Sequence, residues 1–191
     1  MSTADAAPDA ELPVLTRGWV GGWKVARLRF DDATSPRRRV LLEACWSRTT
    51  FGVHDLARCY KVATHVPPEP RCRCGFYAWH ERARAVDTLY GQATVVLRVA
   101  LAGRVEVYEH GLRAARQRVD GVLVDARCGG CGRRNEVPAT ALSAVMRPDR
   151  AGDTPLRLAP SCPQHQVPER PTVTLAEVAG DLGVDVGWQR S

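Results

Sequence analysis

From Gly18 to Cys45 apolar residues are interleaved with basic ones: Trp19, Trp23, Val25, Leu28 and Phe30 alternate with arginines and Lys24. Alternation of this kind is the pattern of a strand with one buried face. Asp31 to Pro36 carries turn residues, and Val40 to Cys45 reads as the next strand. Residues 78–90 place Trp79, Ala83, Val86 and Tyr90 on one stripe, which predicts a helix. From Thr94 to Ala126 the pattern returns to strands: Val95 to Leu101, a turn at Gly103, then Val105 and Val107, with a hairpin turn at Val119 to Val122. A short helix is predicted at Ala139 to Met146. A last one lies within residues 172–187, where Thr174 and Glu177 form a capping box and Gly183 supplies a stop. Leu175, Val178, Ala179 and Leu182 are its apolar face.

These elements predict a mostly-β or α+β fold, a small barrel or sandwich with few helices. A hydrophobic fraction of 45% over 191 residues is enough for a real core and excludes wholesale disorder. The net charge of +6 points to a polyanionic partner. Lys24 and Lys61 are the only lysines, however, and the arginine skew, with abundant Ala, Val and Gly, matches GC-rich coding, which weakens that pointer. The acidic, small-residue start has no hydrophobic run and reads as a disordered leader over residues 1–13, with no secretory signal. The most apolar stretch, Ala93 to Ala102, carries Arg98 and is far short of the ~20 residues that span a bilayer. The expectation is a cytoplasmic protein without membrane contact, where free thiols are metal ligands before they are disulfides.

Seven cysteines then change the picture. Cys128-x-x-Cys131 and Cys162-x-x-His165 are two tight knuckles, each offering two ligands, with Gly129, Gly130 and Gly132 letting backbone N–H groups approach sulfur. Thiolate and imidazole in fours make a structural zinc site. The second set is looser. Cys72 and Cys74, two apart on an extended segment, point to one face. His65 lies across a loop stiffened by Pro67, Pro68 and Pro70, and the fourth ligand is either Cys45 or Cys59. Two zinc ions are expected. The chain divides into a leader (1–13), a mostly-β domain with one site (14–126), a zinc-ribbon-like module with the other (127–168), and a tail with one helix (169–191).

The segments Gly22-Trp-Lys-Val, Leu41 to Cys45, His65-Val-Pro, Cys72-Arg-Cys74-Gly-Phe-Tyr-Ala78, Gly103-Arg-Val and Gly111 to Ala115 resemble a group of uncharacterised actinobacterial and actinophage proteins. Their pattern is specific mainly at the Cys-x-Cys-Gly-hydrophobic-Tyr-Ala run, and the likeness covers about residues 18 to 126. The resemblance implies Cys45, His65, Cys72 and Cys74 as one ligand set, with Cys59 spare, and it implies no activity. The segment with the two knuckles resembles zinc-ribbon modules.

Catalytic motifs fail on inspection. His80-Glu-Arg-Ala-Arg84 has arginine where the helical metalloprotease motif needs its second histidine. No deaminase signature, phosphate-binding loop, nucleophile elbow or dinucleotide fingerprint occurs. Two complete four-ligand sites leave no open position for water or substrate. The tail from Thr174 to Val184 resembles the start of a helix-turn-helix, but seven residues after Val184 are too few for a recognition helix. The reading is a zinc-stabilised, non-enzymatic binding or adaptor protein whose partner is a protein or a nucleic acid. Arg133, Arg134, Arg147, Arg150 and Arg157 are the candidate phosphate contacts. The alternative is a hydrolase-like enzyme with its site between the modules.

Overall fold

The computed structural model describes residues 14–31, 38–47, 49–59, 61, 64–88, 94–128, 131–133, 141–145, 157–166 and 170–189. The leader lies outside the described residues. Three long strands carry the architecture: β1 (Val14–Phe30), β6 (Thr94–Tyr108) and β7 (Gly111–Val124). Between the first two come β2 (Val40–Ala44), β3 (Thr50–Phe51), β4 (His54–Leu56), β5 (Phe76–Trp79) and the short helix α1 (Arg82–Asp87). After β7 follow β8 (Ala141–Val145), β9 (Arg157–Pro160), β10 (Thr172–Thr174), helix α2 (Leu175–Leu182) and β11 (Val186–Trp188). The fold is mostly β.

Pairing runs in a circuit. β1 pairs antiparallel with β6, β6 with β7, β7 with β5, and the Trp23–Trp79 pair returns from β5 to β1. Closure of this kind removes open edges from the centre of the sheet. Alternation along β1 divides its two faces. Ala26, Leu28 and Phe30 join the main core with Val40, Leu42, Leu97, Leu101, Leu112 and Val122. Val25 packs on the other side with Val96 and Ala85 of α1. Each strand is thus pinned in register, because a slip by one residue would exchange these faces.

Several sequence expectations are corrected. Gly103 is not a turn. β6 continues through it, with a positive φ of 81° at Gly103 and a register shift between Ala102 and Val105. The Val119 to Val122 segment likewise stays within β7, where a bulge sets Arg98 opposite Gly121 but Val99 opposite Val119. The turn itself falls at Glu109 and His110. In the segment 78–90 the stripe begins on strand β5, and among the described residues the helix covers Arg82–Asp87; Tyr90 lies outside them. The helix expected at 139–146 is instead strand over Ala141–Val145, pairing with both β9 and β10. Ladder partners outweighed local propensity there.

Hydrogen bonding crosses the boundaries proposed for the modules. β9, from the segment 127–168, pairs with β1 through Leu28–Leu158 and Arg29–Arg157. β11, from the tail, adds in parallel to β7. The terminal helix forms as read: the Thr174–Glu177 capping box is complete, Gly183 closes the helix at φ 66°, and Val178 is fully buried. Asp181 fixes it to the sheet by accepting from the Val40 backbone N–H at 2.9 Å. Among the described residues no helix is long and apolar enough to cross a membrane.

Candidate metal centres

The first centre is built on the chain that leaves β4 and enters β5. Cys59 lies three residues past β4, and Cys72 and Cys74 lie just before β5. Between them Pro67 and Pro68 are buried, which anchors the loop that carries His65. Cys59, His65, Cys72 and Cys74 each offer a ligand atom, all within 4.8 Å of one another. The Cys59 and Cys72 sulfurs are 3.7 Å apart, and His65 Nε2 is 3.2 Å from Cys74 Sγ. Burial and the neighbouring Cys72 thiol push the Cys74 thiol above its ordinary range.

Here the structure corrects the ligand set. Cys45 is outside the group and Cys59 is inside it. Cys45 follows β2 and packs with Trp23 and Trp79 around Val25, on the face of β1 opposite Lys24. Cys74 lines a cavity on the Lys24 face. A half-buried thiol pushed up by burial is what Cys45 presents, the behaviour of a small apolar residue.

A polar network that sequence reasoning did not single out holds this loop. Buried Arg113 on β7 donates through Nε to Glu106 Oε2 at 2.6 Å and pairs with the same carboxylate through Nη2. Its other edge donates to the carbonyl oxygens of Cys72 and, at 3.1 Å, of Glu69. Tyr108 adds a hydrogen bond to Glu106 at 2.8 Å. Gly75 is required beside it. Its φ is +128°, and a Cβ there would lie 2.9 Å from Arg113 Cγ. The period-two pattern places Arg113 between Leu112 and Ala114, a buried charge with no sequence signal for its partner.

The second centre joins the end of β7 to the end of β9. Cys128, Cys131, Cys162 and His165 again lie within 4.8 Å of one another. The first knuckle is a turn in which Gly132 donates to the Cys128 carbonyl at 2.8 Å with φ of 71°. The second is a 3-10 turn, Pro163–His165, whose His165 N–H bonds the Cys162 carbonyl at 2.8 Å. The Cys162 backbone N–H reaches Cys128 Sγ at 3.4 Å, Cys131 and Cys162 sulfurs are 4.0 Å apart, and Cys162 Sγ is 3.1 Å from His165 Nδ1. Cys128 is buried, whereas Cys131 and His165 are exposed. Both clusters have the donor atoms and the proximity to hold a metal ion.

Two of the arginines read as a phosphate face are described. Arg157 is turned inward, 12% exposed, with its guanidinium 3.9 Å from the buried carboxylate of Glu43, which Arg27 and Arg29 also contact. Arg133 is exposed, and Arg134, Arg147 and Arg150 lie outside the described residues. No family model matches the chain, nor does any curated protein or solved structure.

Proposed function

We propose that the chain is a zinc-stabilised binding protein without catalytic chemistry of its own at the metals, and that its partner is another protein. The observation that carries the metal part is the pair of three-cysteine, one-histidine clusters. A tetrahedron with Zn–S bonds near 2.3 Å has sulfur–sulfur edges of about 3.8 Å, and the two sulfur pairs stand at 3.7 and 4.0 Å. Soft thiolates with one imidazole suit zinc over hard cations. Four protein ligands fill the tetrahedron, as in structural sites. Such thiol-rich centres also suit the reducing cytoplasm expected from the sequence.

The partner reading rests on exposed apolar side chains at and around the sheet. Val66, beside His65, is 78% exposed, and Tyr77, three residues past Cys74, is 44% exposed. Trp46 and Leu56 are exposed as well. Val66 is on the loop between the ligands, whereas Tyr77, Leu56 and Trp46 stand on or beside strands β5, β4 and β2, and such exposed large apolar side chains are contact material for a protein surface. The inward turn of Arg157 removes one of the phosphate contacts.

Native mass spectrometry of the protein purified without chelator tests the metal reading: two zinc ions per chain support it, and none refutes it. Anisotropy titration with single- and double-stranded DNA and RNA tests the partner. Tight binding whose logarithm falls with log salt at about −0.7 to −0.9 per phosphate would replace the protein partner with a nucleic acid.

A further inference from the structure

Lys24 occupies a strand position that alternation assigns to the core, next to Val25 and Ala26, and it is 8% exposed. Its Nζ donates to Gln117 Oε1 at 3.0 Å and sits over the rings of Phe51 and Phe76, 4.5 and 4.9 Å from their centroids. Among the described residues no carboxylate forms an ion pair with it. Asp55 is the nearby acid, and its two oxygens accept instead from the backbone N–H groups of Gly52 and Leu56, at 3.1 and 2.8 Å. Ring faces and one amide oxygen hold the ammonium in place, but no counter-charge neutralises it.

Lys24 also lines a cavity of about 460 Å³, together with Phe51, Phe76, Leu56, Arg58 and Arg73. The volume falls within the range of small-molecule sites. Charged groups in its wall are three cations against the already engaged Asp55. Gln117 gives a second, independent sign. It is 1% exposed and its Nε2 has no hydrogen-bond partner, although the residue lines an adjoining cavity of about 350 Å³ that shares Asp55, Leu56 and Arg58. A buried donor without an acceptor costs free energy unless a bound molecule supplies one. The walls thus offer donors and cations for one end of a ligand and apolar surface for the other.

We propose that this cavity is a binding site for a small organic acid, its oxyanion held by Lys24 with Arg58 and Arg73, its apolar body packed on Leu56 and the two phenyl rings. The site adjoins the first metal centre, whose Cys74 contributes to its wall, but the anion contacts proposed here are none of the metal ligands. Burial lowers the Lys24 pKa to about 8, so the amine is still mainly cationic at neutral pH and available to an anion.

The chain has only two lysines, which makes the test direct. Metal-loaded protein carrying carbon-13 at the lysine ε position gives one signal each for Lys24 and Lys61. Benzoate is titrated to millimolar concentration at neutral pH, with inorganic phosphate in a parallel series. The expected result is a saturable shift of the Lys24 signal with benzoate, Lys61 unmoved, and contacts from the benzoate ring protons to Phe51 and Phe76. Absence of a saturable Lys24 shift with benzoate overturns the proposal, and so does saturation by phosphate alone, which would mean that the apolar walls take no part.

Discussion

Arg113 spans two structures at once: one edge of its guanidinium is paired with Glu106 inside the sheet, and the other donates to the carbonyl of Cys72 in the metal loop. Backbone carbonyls next to a ligand fix the direction of its side chain, so this arginine is outer support for the first metal centre. The planar fork is essential, because no lysine can serve Glu106, Cys72 and Glu69 together.

Arg113→Lys is therefore expected to lower zinc affinity at the first centre by about 10- to 100-fold, the range for outer-shell substitutions. The second centre should keep its affinity. Chelator competition, read separately in a background where Cys131 is serine, measures the first site alone. Equal affinity in variant and parent would show that the loop holds its shape without the arginine.

Ligand identity gives the next prediction. Cys59→Ser should leave one zinc per chain and Cys45→Ser should leave two, because Cys59 stands in the cluster and Cys45 packs against Trp23 and Trp79. Zinc content of the purified variants, by elemental analysis, decides it. The reverse result would restore the set that the resemblance implies.

The contrast between those two cysteines shows where the sequence is legible. The capping box at Thr174 and Glu177 and the knuckle spacings are local, set within four residues, and both appear as read. The choice between Cys45 and Cys59 depends on how the sheet is assembled: Cys45 packs around Val25 of β1, while Cys59 leaves β4, which pairs with β7. Gly103 and Asp120 misled for the opposite reason: glycine and Asp-Gly favour turns locally, yet long-range pairing with β1 and β6 absorbs them as bulges. Lys24, Arg113 and Glu43 look like ordinary charges on alternating strands. Only the fold shows that they are buried, because their partners lie 93, 7 and 16 residues away.

Metal loss should be ordered. Ligand thiols and imidazole bind only when deprotonated, so falling pH releases metal as protons compete. Cys131 and His165 of the second centre are exposed, while Cys74 of the first is buried. A chromogenic chelator at neutral pH should strip the second centre first, giving two phases of equal amplitude. The fast phase should vanish in Cys131→Ser. A single phase would mean that the two centres open together.

Lys24 supplies a pH dependence of stability with a definite sign. Burial is the main cause of its lowered pKa, about 8 against 10.5, with Cys45 and Asp55 acting weakly the other way. Between those values the unfolded chain binds a proton that the folded chain does not. Stability therefore rises with pH across that window, and the cost of keeping the ammonium buried is fully present below pH 8. At 1.36 kcal/mol per pKa unit, the full span is worth about 3 kcal/mol. Lys24→Met keeps the length and apolar stem and removes the charge. Its stability relative to the parent should be greatest below pH 8, and the advantage should shrink as pH rises toward 10.5. Urea unfolding of both proteins at several pH values, each loaded with zinc, measures the difference directly. A difference that stays constant from pH 7 to 10 would show that Lys24 keeps its ordinary pKa in the fold.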